Sequence, residues 1–175
     1  MKRLALTALA LVLAGLLVAA TGATAGGQNV RWTLSGTAEW SGSTFLAETF
    51  SIHGTVDGGT YSGTLHAGAY FTTETCGPQC APVTGTIDFA THQGTFTATV
   101  DPAGLVSVVS IGSGTTYSFE LPLRIVSGTK SFAHATGTLG LTYESHLPTN
   151  QVECNVCPIV DSGTLTGNVD RGQSA

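Results

Sequence analysis

Residues 125–144 read Ile-Val-Ser-Gly-Thr-Lys-Ser-Phe-Ala-His-Ala-Thr-Gly-Thr-Leu-Gly-Leu-Thr-Tyr-Glu, the end of one alternating run joined to the start of another by a Gly-bearing corner. From Thr136 to Glu144, Gly137, Leu139, Leu141 and Tyr143 share one parity, and Thr136, Thr138, Thr142 and Glu144 share the other. Side chains alternate across a strand, so this is a strand with an apolar face and a polar face. Such a wall belongs to a barrel or a sandwich and carries no chemistry of its own.

The same pattern extends in both directions. Upstream, Tyr117, Phe119, Leu121, Leu123 and Ile125 alternate with Ser118, Glu120 and Arg124. Pro122 interrupts that run without an N–H to donate, which places it at an edge or a bulge. Leu105–Ile111 is apolar on both faces and counts as a separate strand, entered through the turn Asp101-Pro102-Ala103-Gly104. Earlier strands run through Phe96–Val100, Val83–Phe89, Tyr61–Phe71, Phe45–Val56 and Val30 toward Trp40. In Phe45–Val56 the apolar face changes parity, which predicts a bulge near Glu48 or Thr49. Asp57-Gly58-Gly59 has the chemistry of a two-residue hairpin turn. Downstream, Gly163, Leu165, Gly167 and Val169 form the last strand.

Nine candidate strands with short connections and no convincing helix predict an all-β fold. Closure into a barrel removes the exposed edges that so many strands would otherwise present. Glycine on the apolar face at positions 63, 85, 137, 163 and 167 favours the strong coiling that a small barrel needs. The expected architecture is an antiparallel up-and-down, calycin-like β-barrel of about eight strands.

The start of the chain is of another kind. Lys2 and Arg3 precede an apolar run, Leu4–Ala20, that ends at Ala23-Thr24-Ala25, the pattern of a secretory signal peptide. Residues 1–25 are therefore expected to be removed on export, leaving residues 26–175 as a single barrel domain, secreted to the extracellular space or periplasm, with no stable membrane insertion after cleavage. That domain has four Lys/Arg against eleven Asp/Glu, a net charge of −7. The balance opposes phosphate backbones and anionic headgroups, so nucleic acid is excluded as a partner.

Cys76-Gly-Pro-Gln-Cys80 and Cys154-Asn-Val-Cys157 are the most specific chemical signal. An even number of cysteines in an exported chain reads first as disulfides. A four-thiolate zinc site and a redox pair at Cys154 and Cys157 are the competing readings, the second weakened because no helix follows to lower a thiol pKa. Counting Leu105–Ile111 as a strand puts the two cysteine loops at opposite barrel ends, which predicts local pairing, Cys76 with Cys80 and Cys154 with Cys157. Without that strand the loops share an end and cross-bridging is open.

Other residues carry weaker signals. The five histidines lack metal-ligand spacing; His66 falls on the polar face, and His134 in the corner is read as capping the turn. Glu120 and Arg124 share a face and are read as an outward salt pair. Asp57, Asp101 and Asp161 read as turn residues, and no nucleophile elbow surrounds a serine. No catalytic residue, metal site or cofactor is expected. The aromatic residues, among them Trp32, Trp40, Tyr61, Phe71, Tyr117 and Tyr143, are read as core before ligand pocket.

The corner Gly128-Thr129-Lys130-Ser131-Phe132-Ala133-His134-Ala135-Thr136-Gly137 resembles the Gly-Thr-x-x-Phe-x-x-Ala-x-Gly corner of the allene oxide cyclase and dirigent-like barrel superfamily, which includes secreted bacterial members of unknown function. Ser127 and Lys130 stand where that family usually has glycine. The resemblance implies an eight-stranded barrel with Phe132 plugging one end, and Ala135 and Gly137 closely approaching the next strand. It assigns no catalytic residue here. The expected function is a non-enzymatic barrel that binds a small apolar ligand or acts as an extracellular interaction module. The alternatives are an allene oxide cyclase-like isomerase or cyclase that uses the barrel cavity, and a structural envelope or surface protein.

Overall fold

The computed structural model describes residues 27–43, 47–73, 77–111, 114–148 and 158–172; the expected export signal, 1–25, lies outside them. Ten strands follow in order: β1 (Gln28–Ser43), β2 (Ala47–Val56), β3 (Gly59–Ala67), β4 (Phe71–Thr73), β5 (Gly77–Thr91), β6 (Gly94–Val100), β7 (Gly104–Ile111), β8 (Gly114–Gly128), β9 (Thr136–Pro148) and β10 (Pro158–Asp170). The only helical element among the described residues is a 3-10 turn, Lys130–Phe132.

Every pairing between neighbouring strands of the sheet is antiparallel, and β1 pairs with β10 as well as with β2, so the sheet closes on itself. β6 and β7 run in the same direction between β5 and β8 and form two halves of one stave, broken at residues 101–103. β3 and β4 lie end to end along β5 in the same way. The result is a closed, antiparallel, eight-stranded barrel, as the alternation predicts. Pro122 faces the break in the β6/β7 stave, where its carbonyl accepts the Asp101 N–H at 2.9 Å.

Three expectations are corrected. First, β7 adds no separate stave, because it continues β6. The β4–β5 and β9–β10 connections therefore leave the barrel at one end, here called the upper end, together with the β1–β2 and β7–β8 connections. That removes the reason for expecting local disulfide pairing. Cys80 is fully buried and disulfide-bonded; Cys76, Cys154 and Cys157 lie outside the described residues, as does the pairing. Second, β2 keeps an unbroken register with β1 and β3 from Ala47 onward. The alternation simply carries Glu48 inward on the face of Phe50 and Ile52, and Phe45 lies outside the described residues. Third, Arg124 pairs with Asp101 at 2.6 Å rather than with Glu120, both side chains about half exposed.

The core runs the length of the barrel, with Phe50 and Phe119 in its upper half. Phe50, Phe89, Phe96, Phe119, Phe132 and Tyr143 are at most 1% exposed. Phe132 closes the lower end against Phe96, with ring centroids 5.1 Å apart, and Phe96 stacks on Phe89 at 4.8 Å. Phe71 is the exception among the expected core aromatics, being 42% exposed, since β4 overhangs the upper end. The Trp40 side chain lies outside the described residues.

The corner that carries Phe132 is tied to the β5–β6 hairpin. The Thr129 N–H donates to the Thr95 carbonyl at 2.8 Å, and the Phe132 N–H to the Thr129 carbonyl at 2.9 Å. At Gly137 the backbone has φ 145°, and a Cβ would fall 2.2 Å from the Asn168 carbonyl oxygen, so the start of β9 approaches β10 as closely as expected. Lys130 has φ 52°, a left-handed conformation in which a side chain costs about 1–2 kcal/mol. Lys130→Gly is therefore expected to raise stability by about 0.5–1 kcal/mol after the added freedom of the unfolded glycine is set against the relieved strain. Urea denaturation of both proteins reads the difference.

Candidate functional site

Within the greasy barrel, one row of paired residues is polar. Reading across the strands, Tyr61 (β3) pairs with Gly54 (β2), Gly54 with Gly36 (β1), Gly36 with Asp161 (β10), Asp161 with Ser145 (β9), and Ser145 with Tyr117 (β8). Tyr61, Asp161, Ser145 and Tyr117 are all buried, with Asp161 at 1% and Ser145 at 0% exposure. They occupy the same parity as the apolar core residues of their strands, so they point inward.

The two glycines give this row its shape. A Cβ on Gly36 would lie 2.6 Å from the Tyr61 hydroxyl, and one on Gly54 would lie 2.6 Å from the Gly36 Cα. Only bare backbone at both positions lets the Tyr61 ring lie across two strands. Its hydroxyl then meets that of Tyr143 at 3.1 Å, and the Tyr143 hydroxyl donates to Asp161 Oδ2. Tyr143 has one proton to give and gives it to the carboxyl, so Tyr61 donates to Tyr143. The result is a one-directional chain, Tyr61 to Tyr143 to Asp161.

Two polar atoms at the end of this chain have no partner. Ser145 Oγ and Asp161 Oδ1 are buried and close no hydrogen bond. Ser145 lies near enough to favour the charged carboxyl, but not with hydrogen-bonding geometry. Leaving a buried polar atom unsatisfied costs about 1–3 kcal/mol, so such atoms point to an occupant.

A second carboxyl lies nearby. Glu48, 6% exposed, accepts the Tyr70 hydroxyl, and its charge also acts on Tyr117, which stands beside Ser145 in the register. Ala38, Ala67 and Ala81, all buried, line this upper part of the barrel together with Phe50, Tyr117 and Phe119.

Burial dominates the electrostatics. It raises Asp161 above the usual carboxylate range, against the lowering effect of Ser145, Tyr143 and the charge of His53 on the outer wall. It raises the hydroxyl of Tyr61 and, far more, those of Tyr70 and Tyr143, with Asp161 or Glu48 adding to the effect, and pushes Tyr117 up to about 12, helped by Glu48. A carboxyl with a raised folded-state pKa stabilises the fold fully below its unfolded value of about 3.8 and less as pH climbs through the folded value. Asp161→Asn, whose amide oxygen still accepts from Tyr143, is expected to gain stability relative to the parent between pH 4 and pH 8. Paired urea titrations at the two pH values check this, and a constant difference would exclude it.

The structure places the other candidates elsewhere. Asp57 and Asp101 lie in turns, but Asp161 does not: β10 begins at Pro158 rather than near Gly163, and the strand turns Asp161 inward. His53, His66 and His146 are exposed on the outer wall and bond to the neighbouring threonines Thr37, Thr49 and Thr116 at 3.0–3.1 Å, and His134 is exposed. Among the described residues no group of His, Cys, Asp and Glu could hold a metal ion. Grooves of about 440 and 280 Å³ lie on the outside of the wall, the larger beside Leu105, Glu120 and Gly140. Glu48, Tyr70 and Ser145 have no sequence signal beyond their parity. No protein-family model, curated protein or solved structure matches the chain.

Proposed function

We propose that the chain is exported and that its barrel binds a small ligand with an apolar body, held in the upper barrel with one polar group against Asp161 and Ser145. The observation that supports this most is the pair of buried, unpartnered oxygens on adjacent strands, Ser145 Oγ and Asp161 Oδ1. A ligand hydrogen bond would satisfy both, while Tyr117, Phe119 and Phe50 supply apolar and aromatic surface nearby. Ligand sites combine these two elements, an apolar lining and a few placed polar groups. Native mass spectrometry of the protein purified from its source is expected to show a retained small molecule that Asp161→Asn releases. A wild-type mass equal to that of the bare chain would count against binding.

A second reading, an isomerase or cyclase like those of the allene oxide cyclase superfamily that the Gly128–Gly137 corner resembles, is favoured by the inward Asp161 carboxyl. A carboxyl whose pKa burial raises and which accepts from a tyrosine is the kind of group that exchanges protons with a bound substrate. Turnover of the retained ligand by the wild type but not by Asp161→Asn would favour this reading over simple binding.

A further inference from the structure

The charges of this barrel are sorted along its length. The only Lys and Arg residues in 26–175 are Arg31, Arg124, Lys130 and Arg171. Arg31 is four residues into β1, Arg124 lies in the lower half of β8, Lys130 in the lower corner, and Arg171 just after β10, its guanidinium 5.0 Å from the Phe132 ring centre. The upper halves of the strands hold Glu39, Glu48, Glu120, Glu144 and Asp161. No Lys or Arg occurs in any upper half-strand or upper connection. Among the described residues five acids thus stand in the upper half-strands with no Lys or Arg, while Asp57, Asp88, Asp101 and Asp170 share the middle and lower barrel with all four bases.

An acidic cluster alone specifies nothing. Here two of its members, Glu48 and Asp161, face inward at a built site: Ser145, 0% exposed, has an unpartnered Oγ on the inward face, and the unpartnered Asp161 Oδ1 is on the adjacent strand. Both atoms can accept a hydrogen bond from an ammonium group, which donates three and accepts none. The faces of Tyr117 and its neighbour Phe50, with ring centroids 5.3 Å apart, attract a cation through their π-electrons. A carboxylate ligand would meet Asp161 and Glu48 with no buried cation to receive it, which is prohibitive in a low-dielectric interior.

We propose that the ligand of the upper barrel is an organic cation, a protonated amine on an apolar or aromatic body, with its ammonium donating to Asp161 Oδ1 and Ser145 Oγ. This rests on the binding reading above and narrows it to one charge class.

Three probes of matched shape test it: 2-phenylethylamine, 2-phenylethanol and phenylacetate, titrated calorimetrically into the mature chain at pH 7. The amine is expected to bind about tenfold or more tighter than the alcohol, the gain of a charge-assisted hydrogen bond over a neutral one, with phenylacetate giving no heat of binding. Asp161→Asn is expected to remove the amine's advantage while leaving the alcohol within about threefold. Ser145→Ala, which removes an atom with no partner, keeps the fold and is expected to weaken the amine should the Asp161 variant unfold. Phenylacetate binding as tightly as the amine would overturn the charge assignment and leave the binding reading standing. An amine indifferent to both substitutions would place the cation outside the barrel and also overturn it. If none of the three binds, the binding reading itself falls and the charge assignment with it.

Discussion

Raising the pH above about 10 is expected to unfold this barrel cooperatively, with no tyrosinate absorbance before unfolding. The chain has four tyrosines, Tyr61, Tyr70, Tyr117 and Tyr143, and burial raises the pKa of every one. In the unfolded chain each ionises near 10. A group whose folded pKa is raised stabilises the fold below its unfolded value and loses that contribution as pH rises toward the folded value. For Tyr117 the window runs from 10 to about 12; for Tyr61, Tyr70 and Tyr143 it starts at 10 and extends upward. Tyr61, Tyr117 and Tyr143 are at most 8% exposed. Together they are expected to remove about 4 kcal/mol of stability per pH unit once all three ionise on unfolding. Tyr70, only partly buried, adds less. Domain stabilities are about 5–15 kcal/mol, so a barrel near the lower end of that range should not survive far past pH 11, and one of about 8 kcal/mol should not survive past about pH 12. Absorbance at 295 nm and far-ultraviolet circular dichroism followed together should change in one step. A gradual rise in absorbance centred at pH 10 with the fold intact would contradict the buried hydroxyl chain.

Phe132→Ala is expected to cost about 3–5 kcal/mol, the range for removing a large aromatic side chain from a packed core. Phe132 is 1% exposed and enters the lower end from a turn of only three helical residues. It packs on Phe96, which stacks on Phe89 and touches Trp32 at a centroid distance of 5.8 Å. The Arg171 guanidinium lies 5.0 Å from its ring centre. No neighbour is free to move into the vacated volume, since Phe89 and Phe96 are themselves locked between strands, so the cavity would persist and admit water. Phe71→Ala provides the contrast: its ring is 42% exposed, and its loss is expected to stay within about 0.5 kcal/mol. Urea midpoints for both variants check the pair. Equal losses would show that the corner does not plug the barrel.

The sequence discloses the walls of this protein far better than its contents. Alternation alone places Leu139, Leu141 and Tyr143 inside, and Thr138, Thr142 and Glu144 outside, because a period of two is a local property of each strand. It fails where meaning depends on the neighbouring strand. Leu105–Ile111 reads as a separate strand, but only its pairing with β5 and β8 shows that it continues β6, and that one miscount reverses the placement of a cysteine loop. Asp161 looks like a turn residue because Ser162 and Gly163 follow it, yet Asp-Ser-Gly here lies in a strand, with Gly163 making room for Tyr143: a Cβ there would sit 2.8 Å from that ring. Glu48 was legible in principle, since it shares parity with Phe50 and Ile52. The apolar Phe45 and Ala47 on the opposite parity point instead to a bulge, and the hydroxyl that Glu48 accepts, that of Tyr70, comes from the segment between β3 and β4. Ser145 and the Gly36–Gly54 opening belong to a row that runs perpendicular to the chain, which no one-dimensional pattern reveals.

The seam between β1 and β10 closes the barrel, with Gln28 opposite Val169 and Asn168 bonded to Asn29 at 3.3 Å. A hoop has no half-built form that works: until the last stave reaches the first, both margins of the sheet stay bare and the interior stays wet. Completion therefore waits on the most distant contact in the domain, an entropically slow event. A polypeptide closed in this way cannot finish until its last stave is in hand, so every earlier stage of its assembly carries two open margins.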